Sequence, residues 1–151
     1  MGYGIGYSKQ FSGHQINPFL YIDYQINPKL KLTGLLPVRP KLMYQINDKV
    51  SWSNEFFGNL TTFRLSETEY NNSFIRINNW YYLSKMEFLV KKHHMFSFGA
   101  GFDFIYNLKF YNDNQANTVT LFTFDLNKSV KPISELKTKG IKFQIGYRFV
   151  L

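Results

Sequence analysis

Ile141-Lys-Phe-Gln-Ile-Gly-Tyr-Arg-Phe-Val-Leu151 is the stretch whose reading decides the fold. Ile141, Phe143, Ile145, Tyr147, Phe149 and Leu151 fall on one face, and Lys142, Gln144, Gly146, Arg148 and Val150 on the other. A period of two belongs to a β-strand with unlike faces. The segment 95–110 repeats the pattern, with Phe96, Phe98, Ala100, Phe102, Phe104, Tyr106, Leu108 and Phe110 on one face and Ile105 as the exception. At the other end Tyr3, Ile5, Tyr7 and Phe11 oppose Gly2, Gly4, Gly6, Ser8 and Gln10, with Lys9 interrupting the apolar row. Helical periodicity is weak throughout, so the chain reads as all-β.

A short repeat sets the strand boundaries. Tyr24-Gln-Ile-Asn-Pro-Lys-Leu30 recurs twenty residues later as Tyr44-Gln-Ile-Asn-Asp-Lys-Val50. Asn-Pro and Asn-Asp before lysine are tight-turn chemistry between two strands. Lys91-Lys-His-His94 reads as a third turn. These turns, at 26–29, 46–49 and 91–94, define hairpins over 19–36, 40–58 and 74–110. An opening strand 2–11 and a closing strand 140–151 complete about eight strands of about ten residues each, the strand length that crosses a bilayer. The other connections lie near 12–18, 36–40, 59–73 and 111–139. Short turns at one end and longer loops at the other match an up-and-down antiparallel transmembrane β-barrel. Residues 1–151 then form one barrel domain with a long extracellular loop near 111–139. Thr118–Leu126 reads as a β extension of that loop above the membrane.

Composition narrows the classes. The chain has 151 residues with 16 Phe, 11 Tyr and 2 Trp, and no cysteine, which excludes a disulfide scaffold and thiol chemistry. No run of roughly 18 apolar residues offers a membrane-spanning helix. No basic–apolar–small segment opens it, so either a leader has been removed or the chain is the C-terminal part of a longer one. Lys plus Arg is 18 against 10 Asp plus Glu, a net +8. The basic residues are spread one or two per strand rather than clustered, which speaks against a nucleic-acid partner. Lys128, Lys131, Lys137 and Lys139 in the long loop would instead meet lipid and lipopolysaccharide phosphates, or simply keep the loop solvated.

Alternation alone does not say which face is inside. Three features put the apolar face outward. The opposite face is rich in glycine, serine, asparagine and charge, with Asp23, Lys31, Lys41, Lys85, Glu87, Asp103, Lys142 and Arg148. Small residues and paired charges fill a narrow lumen, and pairing is expected because unpaired interior charge is costly. Phe96, Phe98, Phe102, Phe104, Phe143, Ile145 and Tyr147 would face lipid. Tyr24, Tyr44, Trp52, Tyr106 and Tyr147 near strand ends suit an interfacial girdle, and the sequence ends within a strand pattern with no polar tail.

Gln144-x-Gly146-x-x-Phe149-x-Leu151 resembles the C-terminal insertion signal of bacterial outer-membrane proteins, with leucine where an aromatic residue is commoner. The resemblance implies recognition of this strand by the barrel assembly machinery through edge pairing. More loosely, Leu35-Leu-Pro-Val-Arg-Pro-Lys-Leu-Met-Tyr-Gln-Ile-Asn-Asp-Lys49 and the Gly-x-Gly-x-x-Phe pattern at Gly99–Phe104 resemble barrel proteins of Bacteroidota outer membranes. That resemblance implies a porin-like fold in the outer membrane of a Gram-negative bacterium, in a family mostly without assigned activity.

No enzyme signature emerges. His93 and His94 are strand or turn neighbours that point apart, not a chelating pair, and read as a solvated basic turn. His14 is the candidate base for a lipid hydrolase, but Gly-x-Ser-x-Gly is absent. Catalytic, cofactor and metal residues are all expected to be none. Arg39, between Pro37 and Pro40, is a conceivable ligand contact without support from the sequence. The leading reading is a small outer-membrane barrel with a structural or surface-interaction role, with protein partners at loops 59–73 and 111–139. One alternative makes the chain the C-terminal part of a larger channel or transporter barrel. Another makes it a soluble lipocalin-like barrel around an apolar ligand.

Overall fold

A computed structural model describes residues 1–10, 12–66, 73–91, 93–112, 118–127 and 131–150. Among these no helix occurs, so none is long and apolar enough to cross a membrane. The strands are β1 (Gly2–Gln10), β2 (Gly13–Asn27), β3 (Leu30–Leu36), β4 (Arg39–Asn47), β5 (Val50–Arg64) and β6 (Phe74–Val90). They continue as β7 (His94–Tyr111), β8 (Thr118–Leu121), β9 (Phe124–Asp125), β10 (Ser134–Thr138) and β11 (Ile141–Phe149).

β1 to β7 form an antiparallel meander in chain order, and β10 and β11 pair with successive stretches of β7. The sheet curls far enough for Tyr21 of β2 and Gln144 of β11 to line one cavity. It stays open, because among the described residues β1 pairs only with β2, and β11 only with β7.

The repeated heptapeptide builds the same turn twice. Asn27 Oδ1 accepts from the backbone N–H of Lys29 and Leu30, both at 2.9 Å. Asn47 Oδ1 accepts from Lys49 and Val50 at 2.9 and 3.0 Å. Gln25 and Gln45 each donate to the carbonyl of their own turn asparagine, at 2.6 and 2.5 Å. The strand register shifts between Gln25 and Asn27, and again between Gln45 and Asn47. An asparagine that bonds its own backbone two and three residues on is the device that closes such turns. These turns and the one after β6 define the turn end of the sheet.

The loop end departs from the expected plan. β2 starts at Gly13, which pairs with Gln10, so most of the loop expected over 12–18 is strand. β5 continues to Arg64, and β3 and β4 are joined at 37–38. β3 pairs with β2 only as far as Leu36↔Leu20, so the first residues of β2 have no partner in β3. β8 and β9 come from the stretch expected to extend the long loop, and β9 pairs with β8. β8 pairs in parallel with Gly13–Ile16 of β2. Gly13 has φ +121°, and a Cβ there would collide with the backbone of Thr118, so glycine is what admits β8. Among the described residues of 111–139 the structure therefore places β8, β9 and β10.

The covered face of the sheet changes half-way along. β5 and β6 pair without interruption from Val50↔Phe88 to Arg64↔Phe74, so strict alternation holds. Near the turn end the buried residues Ser51, Ser53 and Leu83 share a face with Glu55, Lys85 and Glu87. Towards the loop end the buried residues are Trp80, Arg76 and Phe74, on the opposite face, beneath β8 and β9. β7 accommodates the change with a bulge. Tyr81 pairs with Asp103 and Trp80 with Ile105, which leaves Phe104 unpaired. A bulge sets two successive residues on one side. Phe104 and Ile105 thus share a face, and Tyr106, Leu108 and Phe110 part from Phe96, Phe98 and Phe102. This corrects the single apolar row expected over 95–110, at the residue that broke its alternation.

Gly101 leaves no room for a side chain against β6, since a Cβ there would overlap the Tyr82 carbonyl oxygen and lie 2.9 Å from Leu83 Cα. Gly101→Ala is expected to cost about 1–3 kcal/mol as overpacking against backbone that cannot yield. An unchanged urea midpoint for that variant would contradict the close approach.

Candidate functional site: the charged face and its ion pairs

At the turn-end half the charged face carries the residues expected to fill a lumen. Asp23 pairs with Lys31 at 2.8 Å, and Asp103 with Lys142 at 3.1 Å. Lys142 Nζ also stands 4.8 Å from the centre of the Tyr81 ring. Lys41 bridges Glu55 and Glu87 at 3.1 and 3.4 Å, and Lys85 binds Glu55 at 2.7 Å. The result is a continuous chain, Lys85–Glu55–Lys41–Glu87, running across β6, β5, β4 and back to β6. Adjacent strands put these side chains on one face because their register partners are in phase: Lys41↔Glu55 and Ser51↔Glu87. Glu55 was missed by sequence reading, although its two-residue spacing from Ser51 and Ser53 places it on this face. Arg148 differs from the others, since Nη2 donates to Met95 Sδ at 2.8 Å rather than to a carboxylate.

Removing Glu55 leaves Lys41 its bond to Glu87 but deprives Lys85 of its ion-pair partner among the described residues. With side chains 13–28% exposed, solvent screens part of the effect. Glu55→Ala is expected to lower stability by about 1–2 kcal/mol. Adding Lys85→Met should recover part of that loss, and equal midpoints for all three proteins would show that the network contributes nothing.

The opposite face at this end is apolar and uncovered. Phe98 is 52% exposed, Phe102 50%, Phe143 81% and Ile145 79%. Phe96 and Tyr147 are also exposed, their rings 5.3 Å apart, while Phe104 is half-buried between Phe56, Phe102 and Trp80. Tyr24, Tyr44 and Trp52 are exposed near strand ends, with Trp52 Nε1 donating to Ser84 Oγ at 2.7 Å.

Of the insertion-signal residues, Gln144 lines the charged-face cavity. Gly146 leaves room for Ser97, whose Oγ would lie 2.6 Å from an added Cβ. Phe149 packs against His93 and His94. Leu151 lies outside the described residues, as do Phe11 and Lys128. The histidine turn is tied to this last strand rather than merely solvated. His93 Nδ1 lies 3.1 Å from the Val150 carbonyl, and His94 Nδ1 2.9 Å from the Tyr147 hydroxyl. His14 bonds Tyr7, with Nδ1 2.7 Å from the hydroxyl. Among the described residues no group of three or more His, Cys, Asp or Glu could hold a metal.

At the loop-end half a second polar cluster was not anticipated. Arg76, with a side chain 3% exposed, donates from Nη2 to Asp125 Oδ1 at 2.7 Å and to Thr120 Oγ1 at 3.3 Å. Trp80 Nε1 donates to Thr123 Oγ1 at 2.6 Å, and Asn78 Nδ2 to the Thr123 carbonyl at 3.1 Å. Lys109 extends the cluster towards Asp125 and Glu135, and Lys137 pairs with Glu135 at 3.1 Å. These bonds hold β8 and β9 against the sheet.

Comparison of the chain with protein-family models, with curated proteins and with solved structures returns no match.

Proposed function

We propose that this chain is a small β-barrel of about eight strands in the outer membrane of a Gram-negative bacterium, with a structural or surface-interaction role. The observation that carries this reading is the inverted amphipathicity of the turn-end half. Phe98, Phe102, Phe143 and Ile145 are half or more exposed, whereas the charges pair with one another on the opposite face. Water penalises that arrangement and hydrocarbon favours it. Lipid also forbids open sheet edges, so β1 would close onto β11 in the bilayer. The two strands run antiparallel in the meander, as such a closure needs. The free outer edge of β11 suits recognition by the assembly machinery, and the basic residues of the loop-end connections suit lipopolysaccharide phosphates. The carboxylates of the charged face, Asp23, Glu55, Glu87 and Asp103, each sit in an ion pair, which suits a structural role.

The same open edges favour a second reading, in which β1 and β11 pair with further strands of a larger channel or transporter barrel. One experiment separates the readings. The chain is diluted from urea with and without detergent micelles, and its gel mobility is compared before and after boiling. A heat-modifiable band in detergent alone supports closure by these residues. Detergent-dependent folding without heat modifiability favours the larger barrel. A folded monomer in plain buffer overturns both and returns the lipocalin-like alternative.

A further inference from the structure

The charged face carries an open cavity of about 470 Å³, a size suited to a small organic ligand, with the exposed Arg39 on its wall. Three cations line it: Arg39, Lys41 and Lys85. Lys41 and Lys85 are neutralised by Glu55 and Glu87. Arg39 stands outside this network, and among the described residues its guanidinium has neither an ion pair nor a hydrogen-bond acceptor. Its Cζ lies 4.3 Å over the centre of the Phe57 ring. A guanidinium over an aromatic ring can keep the N–H donors of its own plane free, and that planar fork grips a carboxylate or phosphate with two parallel bonds. Arg39 opens β4 immediately after the tight turn at 37–38, so its position is fixed by the ladder to Leu35. It also lines a neighbouring cavity of about 240 Å³ with Gln15, Asn17 and Asn59. Tyr21, Phe57 and Tyr81 supply apolar surface on the first cavity's wall.

We propose that this cavity binds a small organic oxyanion, a carboxylate or phosphate monoester on an apolar body, with Arg39 as its anchor. The excess positive charge selects the anion, and the rings select the body. The site is built from the chain's own residues and does not depend on the membrane reading. The test is calorimetric titration of the folded chain, in whichever medium the refolding experiment returns it, with phenyl phosphate, benzoate, benzyl alcohol and inorganic phosphate. At least one aromatic anion should bind tenfold or more tightly than benzyl alcohol and than inorganic phosphate. A preference for phenyl phosphate would identify the headgroup as phosphate, and a preference for benzoate as carboxylate; either supports the site. Arg39→Gln should weaken the anion tenfold or more and leave benzyl alcohol unchanged. Arg39→Lys, which keeps the charge without the planar fork, should fall between the two. Because Arg39 makes no ion pair among the described residues, these variants should keep the parent's circular-dichroism spectrum in that medium. If they do not, Phe57→Leu tests the same site with the charge intact and should weaken the anion as well. Equal affinity for the anion and the alcohol, an undiminished anion affinity in Arg39→Gln, or tighter binding of inorganic phosphate would each overturn the proposal.

Discussion

Replacing Phe98 and Phe102 together by arginine is expected to abolish folding of the chain into lipid vesicles. Both rings lie on the uncovered apolar face, at 52% and 50% exposure. Register places them between β6 and β11, opposite Met86 and Tyr82 on one side and Ile145 and Ile141 on the other. If that face meets hydrocarbon, each arginine costs about 2–4 kcal/mol near the midplane, and the pair about 4–8 kcal/mol. A domain of this size has only about 5–15 kcal/mol of stability to lose. The environment sets the sign. In water the same arginines relieve an exposed hydrophobic patch and improve solubility. Asp48→Arg, in the turn between β4 and β5, should fold into vesicles as the parent does. Vesicle folding of the double variant, or a soluble folded product, would place this face in water.

The sequence was readable where its signals are local. An asparagine two and three residues before its hydrogen-bond donors makes a turn whatever lies further along the chain, and the repeat at Tyr24 and Tyr44 therefore specified two identical hairpins. Alternation marked the strands for the same reason, and it placed Lys41, Lys85, Glu87, Asp103 and Lys142 on one face before any partner was known. It failed at Phe104. A bulge adds one residue and inverts every side chain beyond it, and a window count registered this only as an anomaly at Ile105. The loop end was opaque because its contacts are remote in sequence. Gln15 bonds the Phe122 carbonyl across 107 residues, and Arg76 reaches Asp125 across 49. Nothing in Thr118–Leu126 itself says that it will pair with the first residues of β2. Nor do its local preferences say which face of β6 it will cover. Closure was also beyond pattern reading. The alternation of β1 and β11 is the same whether they pair with each other, with further strands or with neither.

Asp125→Ala is expected to cost about 3–5 kcal/mol, the penalty for stripping a buried ion of its counter-charge. Arg76 is almost wholly buried and leans on that single carboxylate. Its Nε and Nη1 have no hydrogen-bond partner among the described residues, its Cζ stands 5.8 Å from the centre of the Tyr111 ring, and Thr120 Oγ1 is the other acceptor for Nη2. The carboxylate is better placed to survive the reverse change. Asp125 is 27% exposed, bonded by Thr120 and within 4.0 Å of Lys109, so Arg76→Met should be the milder variant. Removing both charges in Arg76→Met with Asp125→Leu should approach the parent, because a hydrophobic replacement of a buried pair is often neutral. The loss should first appear locally. Among the described residues, Arg76, Asn78 and Trp80 of β6 bond Asp125 and Thr123, so freeing Asp125 loosens the β8–β9 hairpin at 118–127 and opens it to protease while the turn-end ion pairs stay intact. Limited proteolysis of the folded variants reads this directly, with cleavage within 118–127 expected in Asp125→Ala and little in the double variant. Equal protection of all three would mean that the hairpin is held by its backbone ladder to β2, and that the buried arginine is satisfied by some other route.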